Sequence, residues 1–242
     1  MVRSARAEAI PFAGHVPADV GLVRALLSGI RSVEHLDGYI EASQKDGVAV
    51  PQQAEFFGAS IVDTVDEGKL VALAAATSAA GAWNTPTQIL VENLFEQWLA
   101  GARQFRGPDF DPARARRFVE LRHRLLRALR DAGAGLLLGA DAPQVFNVPG
   151  FATVRELEAL VGAGLTPFQA LQAGTRNPAL SLGVPESFGT IEVGRRADLV
   201  LLDADPLADV RNVWKRAGVV LAGRYLPAAE LDAKLAEYAA LP

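Results

Sequence analysis

Short apolar runs that alternate with helix-type segments constrain the fold of this chain more than any other feature. Four runs have the length and composition of buried strands: those that end at 13–16 and at 32–36, and those at 81–88 and 135–139. Three segments with helical spacing of apolar residues lie between them, at 18–28, 69–80 and 112–132. Strands and helices that alternate in this way form a parallel sheet, so the sequence predicts an α/β fold.

The number of these units limits the architecture. A closed (β/α)8 TIM-type barrel needs eight strands. This sequence contains only about four strand-plus-helix units before the pattern changes to short β-type runs. From residue 189 the chain contains short β-type runs at 189–194, 197–203 and 210–221, followed by a helical segment at 227–240. We therefore expect half a barrel in residues 1–186, and a small β domain with a terminal helix in residues 187–242.

Half a barrel would leave two open strand edges and an uncovered inner face, which is a large destabilising exposure. We therefore expect a missing N-terminal half, or another chain, to complete the barrel. A homo-oligomer stays open as a further expectation.

The composition excludes several classes of function. With a net charge of −4 and no basic run outside one helix, the chain lacks the electrostatic footprint for nucleic acid or an anionic membrane. Because it contains no cysteine, it has no disulfide framework, thiolate metal ligand or cysteine nucleophile. Residues 70–91 carry no charge, but their interspersed threonine, serine, asparagine and glutamine favour buried core over a membrane span. Residues 1–11 lack the apolar stretch of a secretory signal, and the compartment stays unassigned.

Two helical segments have features that suggest specific roles for their polar residues. In 153–161, Glu156 follows Thr153 by three residues, which predicts a capping box at the start of a helix. In 112–132 the basic residues are interleaved with acids, so we expect an exposed helix face, with His123 solvated on it. Its arginines are Arg114, Arg116, Arg117, Arg122, Arg124, Arg127 and Arg130.

Three side chains are candidates for catalysis. His15 and His35 stand at the ends of consecutive predicted strands, and Asp141 follows the run at 135–139. Neighbouring strands lie about 4.8 Å apart, so two such histidines can reach one ion at Zn–N distances of about 2.1 Å. An isolated strand-end histidine is often a hydrogen-bonded structural residue, and an aspartate before Ala-Pro is often a turn former. On the residues alone, both interpretations stand.

The order of several motifs, together with a long tail, resembles the amidohydrolase superfamily, in its imidazolonepropionase-like and Xaa-Pro dipeptidase-like branch. The resemblance covers nearly the whole chain. Its short components are Gly-His-Val-Pro at 14–17, Ser-Val-Glu-His-Leu at 32–36, Gly-Ala-Asp-Ala at 139–142, Ala-Gly-Leu-Thr-Pro at 163–167 and Thr-Arg-Asn-Pro-Ala at 175–179. The tail at 189–207, from Gly-Thr-Ile-Glu-Val-Gly to Asp-Ala-Asp-Pro-Leu, is the most specific component.

The resemblance implies the C-terminal half of a (β/α)8 TIM-type barrel, strands 5 to 8 equivalents, plus part of a small β-sandwich domain. It also implies a divalent metal cofactor, with zinc as the default and one or two ions in the complete enzyme. In this family the ligands are a first-strand His-x-His, a fourth-strand lysine, two further histidines and an aspartate. The last three correspond to His15, His35 and Asp141, and the first three have no counterpart in this sequence.

The expected function is therefore hydrolysis of a C–N bond in a cyclic amide, a dipeptide or a similar small molecule. Asp141 would be both metal ligand and catalytic base, and no substrate-binding residue can be named. Two other interpretations are kept: a non-catalytic remnant or interaction module with the same fold, and an unrelated doubly wound nucleotide binder. The last lacks a glycine-rich phosphate loop after its first strand.

Overall fold

The computed structural model describes residues 2–51, 55–99, 111–144 and 146–240. The chain forms two compact units, Met1–Leu165 and Thr166–Pro242. The first contains a parallel sheet with helices, and the second contains an antiparallel sheet with helices. The domain boundary expected from the sequence, at residue 186, stays a prediction.

A parallel sheet of adjacent strands organises the first unit. Its strands are β1 (Ser32–Glu34), β2 (Trp83–Thr85) and β3 (Gly135–Leu136), in the order β1-β2-β3. Val33 pairs with Asn84 of β2, and it also forms a parallel bridge to Gly14. The four predicted strand segments thus lie side by side in chain order, with their carboxyl ends at one edge. The prediction of an α/β fold is confirmed.

Helices connect these strands. They are α1 (Val2–Ala7), α2 (Leu22–Leu27), α3 (Tyr39–Ala42), α4 (Glu55–Gly58), α5 (Glu67–Ala79), α6 (Gln88–Leu99), α7 (Pro112–Asp131) and α8 (Phe151–Gly162), with a 3-10 helix at Ala59–Thr64. The Asp66 carboxylate accepts the Gly68 N–H at the start of α5, and the Asp111 carboxylate accepts the Ala113 N–H at the start of α7. Such caps satisfy N–H groups that have no partner within the helix, which explains where both helices begin.

Helix α7 contributes much of the core of this unit. Its buried side chains are Ala115, Phe118, Leu121, Arg122, Leu125, Leu126 and Leu129. One buried polar cluster joins α3, α5 and β2: the Tyr39 hydroxyl donates to Asn84 Oδ1 at 2.9 Å and lies 2.7 Å from Thr77 Oγ1. Because each of these buried polar groups has a partner, the cluster fixes the position of β2 against the helices.

The start of α8 differs from its prediction. The helix begins at Phe151 after Gly150, so Thr153 lies inside the first turn and is not the cap. Glu156 has no solvent exposure, and its carboxylate accepts the N–H groups of Gln88 and Ile89 at the start of α6. The predicted capping box is therefore wrong: Glu156 caps a different helix, through tertiary structure.

The second unit is built around a three-stranded antiparallel sheet. Its elements are α9 (Pro167–Gly174), α10 (Arg176–Ser181), β4 (Leu199–Leu202), a 3-10 helix at Val210–Trp214, β5 (Arg216–Leu221), β6 (Arg224–Pro227) and α11 (Ala228–Ala239). The sheet order is β4-β5-β6. A capping box between Thr166 and Gln169 starts α9. The terminal helix agrees with the sequence prediction.

Two β-type runs of the second unit do not form the expected strands. Residues 189–194 consist of bends and a turn, and Ile191 and Val193 are 86% and 107% exposed. The run predicted at 210–221 is divided, because its first five residues form the 3-10 helix that the Asp209 carboxylate caps at Arg211. The rest of this run forms β5, whereas residues 189–194 have no strand partner in the part of the chain that the structure describes.

No helix in the described ranges is long and apolar enough to cross a membrane. The uncharged residues 70–91 contain most of α5, all of β2 and the start of α6.

Candidate metal centre

His35 lies at the carboxyl edge of the parallel sheet, directly after β1. Its N–H donates to the Thr85 carbonyl at 2.9 Å, where β2 ends. His35 and Leu36 have φ values of 58° and 59°, which are uncommon for residues other than glycine. The chain therefore turns sharply where the strand ends, and the His35 side chain is buried, at 6% residue exposure.

His15 lies beside His35, on the neighbouring strand segment. The Gly14 N–H donates to the Ser32 carbonyl at 3.1 Å, which aligns this segment with β1. The two imidazole rings are stacked, with centroids 4.7 Å apart and planes 28° apart. The His15 ring is largely exposed, and its Nδ1 lies 2.7 Å from the Asp37 carboxylate. Asp37 also accepts the Val16 N–H at 3.3 Å, so one carboxylate orients both the ring and its backbone.

A buried threonine sets the tautomer of His35. The Thr87 hydroxyl donates its only proton to the Pro86 carbonyl at 2.7 Å, and its oxygen lies 2.8 Å from His35 Nδ1. Because that proton is already used, the oxygen must accept, and His35 carries its proton on Nδ1. The lone pair of a neutral His35 is therefore on Nε2.

Asp141 completes the group from the end of the sheet beyond β3. The buried Asn147 amide donates to the Ala140 carbonyl at 2.6 Å, which holds the backbone just before Asp141. Asp141 itself has a φ of 51°. Its Oδ2 lies 3.9 Å from His35 Nε2, and its side chain is 39% exposed. Asp141 and the lone pair of His35 therefore face each other.

These donors match the chemistry of a divalent metal. Two ligand atoms that bind one zinc ion at about 2.0–2.2 Å lie at most about 4.4 Å apart, and His35 Nε2 and Asp141 Oδ2 are 3.9 Å apart. Both histidines use Nδ1 for a hydrogen bond, which is how metal-binding histidines are commonly oriented. Among the residues described, however, no three His, Asp or Glu side chains are already arranged around a common metal position. The fit is that of a partial site.

Burial also favours the neutral form of His35. Desolvation lowers the pKa of His35 below its ordinary value of 6.5, and this outweighs the opposite effect of the nearby Asp37 carboxylate. A neutral imidazole is the form that binds a metal. His35 is thus prepared to act as a ligand at neutral pH.

A pocket of about 440 Å³ opens beside His15 and Asp37. Phe57 lines it and also stacks on His35, with centroids 5.0 Å apart. Glu41 lines it too, and burial raises the pKa of Glu41. The pocket gives a small molecule access to the exposed ring of His15.

The sequence did not reveal the residues that support the histidines. Asp37 lies three residues after the end of β1 and Thr87 two residues after the end of β2, but their contacts depend on turns that the sequence does not specify. Arg122 was expected on an exposed face and is instead fully buried. A signal for this existed, because Arg122 falls between Phe118 and Leu126 at the four-residue spacing of one helix face. His123 is half-buried rather than solvated and lies 2.8 Å from Glu92.

A parallel α/β unit with two histidines and an aspartate at the carboxyl ends of its strands has the organisation of barrel-type enzymes, whose sites lie at that edge. The model of the Amidohydrolase family matches residues 1–226, and the chain belongs to this family. The predicted family is thereby confirmed, and the interpretation as a doubly wound nucleotide binder is wrong.

Similar proteins agree with this family. Ochratoxinase from Aspergillus niger is 34% identical over 95 residues, which cover 35% of this chain and 19% of that protein. Imidazolonepropionase from Rubrobacter xylanophilus is 36% identical over 107 residues, which cover 42% of this chain and 23% of that protein. A solved Xaa-Pro dipeptidase shares the fold at a TM-score of 0.67 and 20% identity, over 93% of this chain and 47% of that chain. The chain thus spans about half of this solved relative.

Proposed function

We propose that this chain is the metal-ligating C-terminal part of a metal-dependent amidohydrolase that hydrolyses a C–N bond in a cyclic amide, a dipeptide or a similar small molecule. Residues 1–186 then correspond to strands 5 to 8 of a (β/α)8 barrel, and residues 187–242 to part of a β-sandwich domain. The relatives support this class of reaction, because imidazolonepropionase and ochratoxinase belong to the matched proteins.

The proximity of His35 to both His15 and Asp141 carries the proposal. They come from three different strand ends, yet the two rings are 4.7 Å apart and His35 Nε2 is 3.9 Å from Asp141. A purely structural role for these histidines would not require that both bind partners through Nδ1 and keep Nε2 for another group. His15 and His35 would therefore hold the ion through Nε2, and Asp141 would hold it through a carboxylate oxygen.

A bound divalent cation, with zinc as the expected ion, would polarise the scissile carbonyl and lower the pKa of the attacking water. Among the residues of this chain, Asp141 would transfer the proton. As the water oxygen bonds to the carbonyl carbon, the Asp141 carboxylate accepts a water proton. Asp141 then gives this proton to the amide nitrogen as the C–N bond breaks, and the carboxylate is restored.

The ligand set is completed from outside these residues. Two histidines and an aspartate supply at most three ligands, and the chain has no His-x-His to supply more. The solved Xaa-Pro dipeptidase is about twice as long as the region matched here, which supports a complementary segment that closes the barrel. We propose that this segment, in the same or another polypeptide, contributes the remaining ligands.

The competing function is a non-catalytic module that retains the fold. The upstream coding sequence and measurements on the protein distinguish these two functions. If the coding sequence upstream of Met1 contains His-x-His and a strand-end lysine, the longer product should hydrolyse amides with zinc, and Asp141→Asn should abolish turnover while zinc is still bound. A folded monomer without such an upstream segment, and without zinc-dependent hydrolysis, would instead establish the non-catalytic module.

A further inference from the structure

Arg122 joins the two turns that carry the groups around His35. Its guanidinium donates through Nη1 to the His35 carbonyl at 2.8 Å and through Nη2 to the Pro86 carbonyl at 2.6 Å. Its Nε donates to Gln88 Oε1 at 3.0 Å. The side chain has no solvent exposure, although it projects from α7, a helix distant in sequence from both turns.

The backbone in these two turns is strained. His35 has a φ of 58°, and Thr87, a β-branched residue, has a φ of 49°. Such conformations are unfavourable and persist only when their surroundings fix them. Arg122 binds the carbonyl of His35 itself and the carbonyl immediately before Thr87. A planar guanidinium can bind both carbonyls in a fixed geometry, which a lysine cannot do.

A second buried polar side chain, the carboxyl group of Glu156, fixes the same region from α8. Glu156 accepts the N–H groups of Gln88 at 2.9 Å and of Ile89 at 2.6 Å, immediately after Thr87. Arg122 and Glu156 therefore both act on the short segment in which Thr87 orients His35. Buried charges add little to stability compared with well-packed apolar side chains, so stability alone does not account for this arrangement.

We propose that Arg122 is a positioning residue that holds the His35 and Thr87 turns so that His35 Nε2 faces Asp141. The inference rests on the proposed function for its consequence, metal binding, but the geometry of His35 can be measured without a metal. Without Arg122 the His35 carbonyl loses its guanidinium donor and the Pro86 carbonyl keeps only the Thr87 hydroxyl. The two turns then relax, and the Thr87 hydroxyl no longer imposes one tautomer on His35.

The test compares Arg122→Lys and Arg122→Met with Arg124→Met. Arg124 lies on the same helix but is exposed and pairs with Glu67, so it controls for loss of an arginine. For each folded variant, ¹⁵N NMR of the metal-free chain gives the His35 tautomer, zinc titration gives the Kd, and denaturant unfolding gives the stability.

We expect wild type and Arg124→Met to show His35 protonated on Nδ1. Arg122→Met should give a mixture of tautomers and a zinc Kd raised about 10–100-fold, as for other residues that orient a ligand, with partial rescue in Arg122→Lys. Wild-type tautomer signals in a folded Arg122 variant would overturn the inference, as would failure of both variants to fold, since Arg122 would then be a stability residue. If wild type binds no zinc, the proposed function fails, and the tautomer measurement still decides the role of Arg122.

Discussion

His15 and His35 are both oriented through Nδ1, but by partners of different charge. The partner of His15 Nδ1 is the Asp37 carboxylate, whereas the partner of His35 Nδ1 is the neutral Thr87 hydroxyl, which fixes the tautomer of His35. His35 is also the more buried of the two rings. We infer that His35 depends more on geometry than His15 does, and that removal of the Thr87 hydroxyl at its Nδ1 should be costly.

Thr87→Val tests this dependence, since valine has nearly the same shape but cannot accept the Nδ1 proton. We expect zinc affinity to fall about 10–100-fold. Thr77→Val is the matched control, because Thr77 is equally buried but bonds to Tyr39 and the Leu73 carbonyl. It should lower stability and leave the zinc Kd unchanged. Equal Kd values in Thr87→Val and wild type would contradict the assigned role.

The sequence predicts the candidate ligands at strand ends, but it does not predict the residues in turns that orient them. His15, His35 and Asp141 could be proposed because parallel strands bring their carboxyl ends to one edge. Asp37 and Thr87 could not, because their contacts need positive φ values at residues that rarely adopt them, and only the folded surroundings impose these.

Helices α6, α7 and α8 are joined by buried polar contacts between individual side chains and helix ends. Glu156 of α8 caps α6, and Arg122 of α7 binds Gln88 of α6. Burial raises the pKa of Glu156 to about 8, whereas burial lowers the pKa of Arg122 only to about 10. Arg122 therefore stays charged at neutral pH. Glu156, by contrast, titrates at a pH close to neutral.

The pH dependence of stability should report Glu156. Its raised pKa means that the folded chain binds a proton that the unfolded chain has lost between pH 4.5 and about pH 8. The stabilisation is complete below pH 4.5 and is lost as pH rises through about 8, at about 1.4 kcal/mol per pH unit. The other charges that act on Glu156 are Glu92, which raises its pKa, and Arg122, which lowers it.

Glu156→Gln removes this titration. The free energy of unfolding should be measured from urea curves at several pH values for the wild type and the variant. The difference, wild type minus variant, should decline from pH 4.5 to about pH 8. A difference that is constant or increases with pH would show that Glu156 is ionised throughout in the folded chain.

Contact between β2 and β3 depends on a glycine. A Cβ at Gly135 would collide with the Trp83 ring, so Gly135→Ala should destabilise the chain by about 1–3 kcal/mol. Gly162→Ala is the control, since nothing lies near that position and alanine favours a helix. It should be neutral or stabilising by about 0.5 kcal/mol. Equal unfolding midpoints for Gly135→Ala and Gly162→Ala would contradict the collision with Trp83.

Elements were predicted well where local signals and packing agree. α5 and α7 carry acidic caps, and both begin within two residues of the expected position. The start of α8 was predicted incorrectly because Glu156 is used by α6, a tertiary contact. Residues 189–194 were predicted incorrectly because alternation signals a strand only where a partner strand exists.

On the scale of the whole molecule, the chain belongs to the amidohydrolase family and spans about half of its solved relative. The order and composition of its motifs were sufficient to predict the family, since they extend over most of the sequence. The strand count predicted half a barrel, and the structure contributes parallel strands in chain order. We propose that the segment which closes the sheet lies outside these 242 residues.

Zinc titration of the purified 242-residue chain tests the central claim most directly. The account predicts weak binding that is lost in His15→Ala, His35→Ala and Asp141→Asn. Binding should be unchanged in His123→Ala, because His123 pairs with Glu92 and not with the proposed ligands. Binding that does not depend on His35 and Asp141 would contradict the assigned ligands. Stoichiometric, tightly held zinc with amide hydrolysis by this chain alone would contradict the claim that it carries only part of the site.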